Sequence, residues 1–311
     1  MKAIFDSVSA RCSKIVTRSY STSFSLGISF LGPGLRGPVY AIYGFVRLAD
    51  EIVDSFHGFD KATLLLRFKS NTMEAITESI SLNPILNAFQ EVVNRYKIDH
   101  ELIDLFFQSM EMDLNKEIYT EEKYERYIIG SAQAVGLMCL HVFTNGDKIE
   151  YERLKNPAMK LGSAFQKVNF LRDSGADFHI LSRTYFPDVD LLQFSDKQKK
   201  SIEADIELEF DAALKGINQL PPSSQRGVYL AYLYYRKLFN KIKSKTAAQL
   251  IDQRIRISNL YKFRLMIHSL IVYRKTKTHT IISSAESQIS TMVQQPERET
   301  AMEAPKPGSQ K

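Results

Sequence analysis

The chain has 311 residues, of which 44% are hydrophobic and 24% are charged. This composition predicts a globular protein with a sizeable core and excludes a disordered or fibrous chain. Its two cysteines, Cys12 and Cys139, are too few for a disulfide framework, so we expect a reducing compartment. The N-terminus lacks the apolar core of a secretory signal, and no uninterrupted apolar run approaches the ~18 residues of a membrane helix. We therefore expect a soluble, cytoplasmic protein.

The formal net charge of +6 hides a basic segment near the C-terminus. Between Arg226 and Thr280 there are thirteen Lys or Arg residues and one acid, Asp252, so this segment carries +12 and the rest of the chain −6. Such a segment is either a solvated helical face or a surface for phosphates or an anionic membrane. No recognised nucleic-acid-binding motif accompanies it, so we expect no nucleic-acid partner.

Helical periodicity recurs along the chain up to about residue 274. In chain order, we predict helices over residues 8–24, 39–54, 61–80, 85–96, 100–112, 120–143, 161–177, 201–220 and 223–274. The sequence contains no alternating strand pattern and no dinucleotide-binding or Walker glycine motif. We therefore predict an all-α protein with one domain over residues 1–275. A polar tail over residues 276–311 is too poor in apolar residues to fold.

A run of hydroxyl side chains precedes the second predicted helix. Residues 19–24 read SYSTSF, and a Gly/Pro-rich segment that ends at Pro38 follows them. We expect Pro38 in the first turn of the next helix, where proline is favoured. The hydroxyl groups could cap a helix or donate hydrogen bonds to an anion, and the sequence favours neither role.

The second predicted helix ends in a pair of acids. Asp50 and Asp54 are four residues apart, so a helix places both carboxylates on one face, one turn apart. Farther back, the same face is apolar and aromatic, with Val46 and Tyr43. An apolar wall that leads to two acids suits hard cations at the mouth of a pocket for a hydrophobic chain. A single pair with this spacing, however, is more often a solvated surface feature.

A second acidic pair repeats this spacing farther along the chain. Asp173 and Asp177 are four residues apart, and Gln166 and Asn169 share their side of the helix, within about a third of its circumference. Carboxylates on the inward side of two apolar helices need cations, and neighbouring bases are too few to neutralise them all. The two pairs together therefore indicate a cation site more strongly than either pair alone.

The predicted helix 120–143 carries a strip of small residues. Small side chains let another helix or a ligand approach closely. Tyr127 lies on the side of this strip, and taken alone it fits a core tyrosine with a satisfied hydroxyl equally well. The strip consists of Gly130, Ser131, Ala132, Ala134 and Gly136.

The two acidic segments, RLADEIVD and FQKVNFLRDSGAD, resemble the two aspartate-rich motifs of the squalene/phytoene synthase family. The resemblance covers roughly residues 19–270. It includes STSFSLGISFLGP near the start, RTYFP after the second motif, and LAYLYYRKLFNKI and RIRISNLYKFRLM near the end. Within the family, the chain is most similar to the bacterial phytoene synthases. The resemblance implies an isoprenoid-synthase helical bundle around a central apolar cavity.

The resemblance also implies roles for individual residues. Mg²⁺, for which Mn²⁺ can substitute, would lie between the substrate diphosphates and four aspartates: Asp50, Asp54, Asp173 and Asp177. The implied substrate-binding residues are Ser21, Ser23, Phe24, Arg47, Gln166, Asn169 and Arg172. The implied catalytic positions are Tyr43, Tyr127, Tyr185 and Tyr235. One position departs from the family pattern, because Ala176 stands where many members have an acid. The spacing of the outer aspartates is kept, so we expect metal binding to be kept as well.

The implied activity is that of a prenyltransferase that joins two geranylgeranyl diphosphates head to head. The product would be phytoene, formed through a cyclopropyl diphosphate intermediate, as in carotenoid biosynthesis. The alternative is the same chemistry on farnesyl diphosphate, giving dehydrosqualene or, with NADPH, squalene; we expect no NADPH. Non-catalytic assembly factors of the family tend to lose motif aspartates, and all four are present here. The basic C-terminal helices would face phosphates and, peripherally, the inner face of the cell membrane.

Overall fold

The structure is a computed structural model that describes residues 1–114, 119–176, 185–187 and 194–252. All regular structure in these ranges is helical, without a strand, which confirms the predicted all-α class. The described residues belong to one compact unit. The predicted tail, its boundary at residue 275 and the last part of the basic segment lie outside the described residues and stay predictions.

Most predicted helices are present, but two differ from the prediction. The helix predicted over residues 8–24 is divided at Ser21 into two helices, and the helix that carries the second acidic pair begins at Lys148 rather than at residue 161. A π-helical segment, Ile129–Ala134, joins two of them without a break. The helices of the described ranges are α1 (Lys2–Tyr20), α2 (Thr22–Ser29), α3 (Pro33–Asp54), α4 (Lys61–Glu78), α5 (Pro84–Tyr96), α6 (His100–Asp113), α7 (Glu121–Ile128), α8 (Val135–Phe143), α9 (Lys148–Ala176), α10 (Asp196–Ile217), α11 (Pro222–Lys243) and α12 (Ala247–Asp252).

The first acidic helix, α3, begins earlier than the sequence predicts. Pro33 takes the first helical position after the N-cap residue Gly32, and Pro38 lies inside the helix. The prediction that the helix begins at Pro38 is therefore wrong. Pro33 occupies the position that needs no N–H group, whereas Pro38 costs the helix one hydrogen bond, the one to the carbonyl of Gly34.

Helix α3 carries two different stripes. Ile42, Phe45, Ala49 and Ile52 are buried and pack in the first core cluster. Phe45 stacks on Phe89 of α5, with ring centroids 3.9 Å apart. This packing fixes the rotation of the helix about its axis and so directs the second stripe. The second stripe consists of Tyr43, Arg47, Asp50 and Asp54.

Buried apolar side chains form two clusters. The first is built mainly by α3, α4, α5, α6 and α8, with the start of α9. The second is built by α7, the later part of α9, α10, α11 and α12. The acids of α3 therefore extend from a helix of the first cluster, and Asp173 extends from a helix of the second.

The predicted strip of small residues lies mainly in the π-helical segment and touches helices on two sides. A Cβ atom on Gly130 would lie 2.2 Å from the carbonyl oxygen of Leu105 on α6. A Cβ atom on Gly162 of α9 would lie 2.7 Å from the carbonyl oxygen of Ala132. The strip thus serves close helix packing, one of the two roles that the sequence left open. Inserted residues of this π type often lie at functional sites.

Helix α10 begins at Asp196, whereas the sequence analysis placed its start at Ser201. The hydroxyl of Ser195 accepts a hydrogen bond from the backbone N–H of Gln198, and the Gln198 side chain accepts one from the backbone N–H of Ser195. This is a capping box, whose S-x-x-Q signature is visible in the sequence and was interpreted as a loop. The helix ends at Ile217 rather than Leu220, ahead of the two prolines that follow.

By length and hydropathy alone, one stretch of the described residues, Glu121–Phe143, is able to cross a membrane. The sequence analysis predicted that no apolar run approaches the length of a membrane helix, and this stretch is an exception. The stretch is counted through the π-helical segment, and 44% of its apolar window is buried inside the fold. A buried core helix passes the same test of length and composition, so the finding gives weak support for a membrane span.

We predict that Gly130→Ala destabilises the protein and that Gly136→Ala does not. A Cβ atom on Gly130 would meet the Leu105 carbonyl oxygen and lie 2.8 Å from Cβ of Ser109, so α6 must move. Near Gly136 the closest atom, the carbonyl oxygen of Ala158, is 3.5 Å away, which is an ordinary contact. Both changes raise intrinsic helix propensity by about 1 kcal/mol, so the pair is matched.

Urea unfolding followed by far-UV circular dichroism should show a loss of at least about 2 kcal/mol for Gly130→Ala alone. A Gly130→Ala variant as stable as the wild type would contradict the close approach of α6.

Candidate active site

The C-terminal turns of α3 place two carboxylates beside one guanidinium. Arg47 pairs with Glu51 one turn later, and its Nη1 atom lies 3.8 Å from Oδ2 of Asp50. The guanidinium also lies over the ring of Tyr20, 4.3 Å from its centroid. Asp54 lies one turn beyond Asp50 and is exposed.

Asp50 behaves like a residue on the wall of a concave space. Its side chain keeps 31% of its accessible area, yet protein surrounds it closely enough that burial raises its pKa to about 7. Arg47 opposes this rise, and the charges of Asp54, Asp113 and Glu51 add to it. The carboxyl group of Asp50 therefore holds its proton up to near neutral pH unless a cation is present.

The second acidic motif lies near the C-terminal end of α9. Arg172 binds Asp173 through two bonds, with Nε 3.0 Å from Oδ1 and with Nη2 on Oδ2. One turn earlier, Nδ2 of Asn169 donates to Oε1 of Gln166 at 3.4 Å. These side chains are half-buried and form a polar strip on α9. Asp177 lies outside the described residues, and its placement stays a prediction.

Aromatic side chains connect the two acidic helices. Tyr235 of α11 donates its hydroxyl hydrogen to Oδ1 of Asn169 on α9, at 3.3 Å. The ring of Tyr235 lies 6.2 Å from that of Phe24 on α2, and Phe24 lies 5.4 Å from Tyr43 on α3. Helix α11 thus forms one aromatic wall with α2 and α3, although almost 170 residues separate it from α3 in the sequence.

The two tyrosines of this wall stay neutral at physiological pH. Burial raises the pKa of Tyr235 to about 12 and also raises the pKa of Tyr43. Neutral phenols present ring faces and hydroxyl donors instead of negative charge. The wall can therefore line a space for a hydrophobic chain and still provide hydrogen bonds near the acids.

The structure contains an acid that the sequence analysis missed. Asp113, at the end of α6, is 6% exposed and accepts a hydrogen bond from the Tyr127 hydroxyl at 2.9 Å. Its charge also raises the pKa of Asp50, which places Asp113 near the first acidic pair. Phe106 and Met110 share its side of α6 and are buried. An acid on a buried apolar stripe is the sequence signal that could have identified it.

Tyr127 belongs to a buried aromatic cluster. Its ring lies 5.6 Å from Tyr119 and Tyr185 and 5.8 Å from Phe170, and Phe170 stacks on Tyr185 at 4.1 Å. Burial and the charge of Asp113 raise the pKa of Tyr127 well above its ordinary value, so it stays protonated. The sequence analysis named Tyr127 and Tyr185 but not Tyr119 or Phe170. Together the rings form a water-excluding surface whose faces attract cations.

These interactions form a closed circuit of neighbouring side chains. The circuit runs from α3 through α6, α7, α9, α11 and α2 and returns to α3. Its members are buried or half-buried, and Asp50 keeps 31% of its side-chain area accessible. The members, in order, are Asp50, Asp113, Tyr127, Phe170, Asn169, Tyr235, Phe24 and Tyr43.

The hydroxyl cluster has one defined role. Oγ of Ser21 accepts a hydrogen bond from the backbone N–H of Phe24 at 3.2 Å and so caps α2. The Ser21 side chain also shares a hydrogen bond with Tyr43. Ser23 lies half-buried in the first turn of α2. Of the two roles expected for the hydroxyl groups, helix capping is therefore present. The other role, hydrogen bonding to an anion at this helix N-terminus, stays a prediction.

Both acidic ends suit divalent cations. Backbone carbonyls already place partial negative charge at the C-terminal end of a helix, and the last turns of α3 and α9 contain no basic residue. Within the described residues, no group of three acid, Cys or His side chains forms a metal site by itself. The oxygens of Asp50, Asp54 and Asp173 are the hard donors that Mg²⁺ prefers, and substrate phosphates and water usually complete its shell. The residues therefore fit magnesium bound together with a phosphate.

Known proteins resemble this chain over most of its length. The family profile described as squalene/phytoene synthase matches residues 17–261. The chain is 27% identical over 252 residues to the chloroplastic phytoene synthases 1 of Solanum lycopersicum and Arabidopsis thaliana. These alignments cover 75% of this chain but only 61% and 59% of the two plant proteins, so the match spans about three fifths of their length.

The helical arrangement is similar to that of two solved structures. A dehydrosqualene synthase in complex with ligand aligns with a TM-score of 0.74 at 20% identity, over 87% of this chain and 98% of that one. A squalene synthase from Alicyclobacillus acidocaldarius aligns with a TM-score of 0.67 at 23% identity, over 76% and 93% of the two chains. At these identities the similarity establishes the isoprenoid-synthase helical fold and leaves the substrate open.

We predict that Asp50→Asn stabilises the metal-free protein above neutral pH. The pKa of Asp50 is about 7 in the folded protein, against an ordinary value of 3.8. Between these pH values the folded state binds more protons at Asp50 than the unfolded state, so stability falls as pH rises through this window. In EDTA, the Tm of Asp50→Asn should exceed that of the wild type at about pH 8, and the advantage should shrink toward about pH 5.

Glu51→Gln is the matched control on the same turn and should have the opposite effect. Burial raises the pKa of Glu51, but hydrogen bonds from Ser55 and Arg47 lower it overall. This carboxylate therefore stabilises the fold above its unfolded pKa, and the stabilisation disappears as pH falls through its folded pKa. Glu51→Gln should lower the Tm at about pH 8. If both variants changed the Tm at about pH 8 in the same direction, the opposite pKa shifts of Asp50 and Glu51 would be contradicted.

Proposed function

The chain belongs to the squalene/phytoene synthase family, and on this premise we propose that it joins two geranylgeranyl diphosphates head to head to give phytoene. Members of this family are prenyltransferases, and we place the chain in that class of enzyme. The observation that supports the proposal is the closed circuit of side chains, which connects the acid-bearing helices α3 and α9 through Phe24, Tyr43 and Tyr235. Two acidic ends suit a reaction in which two diphosphates must leave.

The acidic residues of the two helices would serve the two diphosphates. Asp50 and Asp54 on one side, and Asp173 with Asp177 on the other, would hold Mg²⁺, which as a Lewis acid neutralises a leaving diphosphate. Arg47 is oriented by Glu51 and by the ring of Tyr20, and it can donate to a phosphate oxygen beside Asp50. Arg172 fixes the side chain of Asp173 through two hydrogen bonds.

The interior between the acids protects a reactive cation. When the C–O bond of the first allylic diphosphate breaks, the electron pair leaves with the diphosphate and a carbocation remains. A double bond of the second substrate attacks this cation and loses a proton, which closes the cyclopropane ring. Departure of the second diphosphate, rearrangement and loss of a second proton give the hydrocarbon. Tyr43, Phe24 and Tyr235 exclude water and offer ring faces to the cation.

Tyr127 and Asp113 form a path for a departing proton. Oη of Tyr127 can accept a proton while it passes its own hydrogen to Oδ2 of Asp113, 2.9 Å away. Because the pKa of Tyr127 is raised, the phenol does not act as a phenolate. The carboxylate of Asp113 is then the group that keeps the proton. Tyr185, whose ring lies 5.6 Å from that of Tyr127, and the departing diphosphate are the other candidate acceptors.

The alternative is the same reaction on farnesyl diphosphate, with dehydrosqualene as the product. The depth of the apolar interior decides between the two substrates, because each isoprene unit needs additional length in the pocket. We also propose cytoplasmic action at the inner face of the cell membrane, with no NADPH and no nucleic acid involved. Contact through the basic C-terminal helices would supply the substrate and take up the C40 product.

Product analysis tests the proposal directly. With Mg²⁺ and without NADPH, the purified protein should convert geranylgeranyl diphosphate to phytoene, identified by mass spectrometry, in preference to farnesyl diphosphate. Asp50→Ala and Asp173→Ala should each lower kcat at least about a thousandfold, since a diphosphate cannot leave without its counter-charge. Far-UV circular dichroism should show that both variants keep their helical content.

Asp104→Ala is the control. Asp104 is an acid of α6 that pairs with Lys69 and does not belong to the circuit. The activity of this variant should equal that of the wild type. If dehydrosqualene forms in preference to phytoene, the substrate is farnesyl diphosphate and the proposal of geranylgeranyl diphosphate is wrong. If neither diphosphate is consumed, the enzymatic function itself is refuted.

The proton path predicts a non-additive pair of variants. Asp113→Asn and Tyr127→Phe should each lower kcat about a hundredfold or more, with little effect on KM. Because both groups act on one proton, the double variant should be no slower than the slower single variant. Tyr124→Phe, at a neighbouring buried tyrosine, should keep its activity. Losses that multiply in the double variant would show that the two groups do not share a path.

A further inference from the structure

Helix α1 exposes apolar side chains and buries small polar ones. Ile4, Val8 and Ile15 keep 69%, 42% and 62% of their accessible area. On the opposite side, Ser9, Ser13 and Thr17 are completely buried. This is the reverse of the arrangement expected for a helix that packs on a core and faces water.

Packing explains the inner side of α1. Ser9 and Thr17 donate their hydroxyl hydrogens to backbone carbonyls one turn earlier, at 2.9 and 2.8 Å, so they are satisfied inside the protein. A Cβ atom on Gly44 of α3 would lie 3.0 Å from Cβ of Ser13, so the two helices meet through small residues. None of these contacts requires isoleucine or valine on the outer side.

The outer side of α1 combines an apolar strip with a basic strip. At about 100° per residue, Ile4, Val8 and Ile15 fall within an arc of about 40°. Arg11, Lys14 and Arg18 fall within the adjoining arc of about 60° and are exposed. We call these six residues the α1 face. Its two strips lie side by side along most of the helix.

We propose that the α1 face docks on the surface of an anionic lipid bilayer. A helix that lies in a membrane interface inserts apolar side chains below the headgroups while Lys and Arg meet anionic phosphates. A second copy of this chain fits less well, because a two-fold contact would bring the same three basic residues of both copies together. The three basic residues therefore favour an anionic partner, and the apolar strip favours a partner with a hydrophobic interior.

The C-terminal end of α1 contacts the candidate active site. Helix α1 ends at Tyr20, whose ring lies under the guanidinium of Arg47, and the next residue, Ser21, contacts Tyr43. The helix that carries the α1 face is therefore held at its end by residues of the site. This surface differs from the basic C-terminal helices, and its existence does not depend on which prenyl diphosphate the protein uses.

Vesicle flotation of the full chain tests the proposal. The protein should bind vesicles of phosphatidylcholine with about one third phosphatidylglycerol and bind far less to pure phosphatidylcholine. Replacing Ile4, Val8 and Ile15 by Ser should lower the partition coefficient at least about tenfold. Replacing Arg11, Lys14 and Arg18 by Gln should lower it similarly and reduce its dependence on salt. Activity on detergent-dispersed substrate should stay unchanged in both variants.

Matched controls change the same chemistry elsewhere. One control replaces Leu66, Ile149 and Leu208, three other exposed apolar side chains, by Ser. The second replaces Lys148, Lys197 and Lys200, three exposed lysines, by Gln. Both controls should bind vesicles as the wild type does.

Three outcomes would overturn the proposal. The first is wild-type vesicle binding by the Ile4, Val8 and Ile15 variant, which would leave the C-terminal basic segment as the membrane contact. The second is equal loss of binding in the controls. The third is a wild-type dimer in light scattering that the same variant converts to a monomer, which would assign the α1 face to a second copy. Because activity in detergent is measured separately, a failed catalytic proposal is distinguishable from a failed docking proposal.

Discussion

Two groups of carboxylates are held at the C-terminal ends of α3 and α9, where the helix backbones already carry partial negative charge. Arg47 pairs with Glu51 and lies 3.8 Å from Asp50, and Arg172 pairs with Asp173. A half-buried carboxylate is stabilised in its charged form by a nearby cation. Burial is the main cause of the raised pKa of Asp50, and the charges of Asp54, Asp113 and Glu51 add to the rise. Such a site is complementary to a cation and an anion that arrive together, which is the character of a metal-bound diphosphate.

Glycine contacts close the circuit around these charges. Gly130 lets the π-helical segment touch α6, and Gly162 brings α9 against Ala132 of the same segment. At the other side, a Cβ atom on Gly227 of α11 would lie 2.7 Å from the carbonyl oxygen of Gly27 on α2. Helices that approach this closely leave no freedom to slide, so the side chains between them keep fixed positions. The tyrosines and carboxylates of the circuit are therefore positioned by backbone contacts that they do not themselves make.

The sequence predicts those features that depend on helical period. Asp50 with Asp54, and Gln166 with Asn169 and Asp173, were found because spacings of three and four residues place side chains on one side of a helix. Features that depend on contacts between distant segments were not found. Asp113 has meaning only beside Tyr127, which lies on another helix. The start of α3 was misplaced because Pro33 and Pro38 both suit a first helical turn. The start of α10 was misplaced although its capping box is visible in the sequence, so in that case the signal was overlooked.

The two acidic ends belong to helices of different core clusters, and this has a consequence for stability. The first cluster carries Asp50 and the second carries Asp173, while the contacts between their two helices pass through α2 and α11. A cation and diphosphate bound by both ends would connect the two clusters directly. A ligand that binds only the folded state increases the free energy of unfolding. A bound cation would also offset the cost of burying the charged form of Asp50, which is the main cause of its raised pKa. The carboxylates of α3 and α9 are therefore the groups through which such binding would raise the free energy of unfolding.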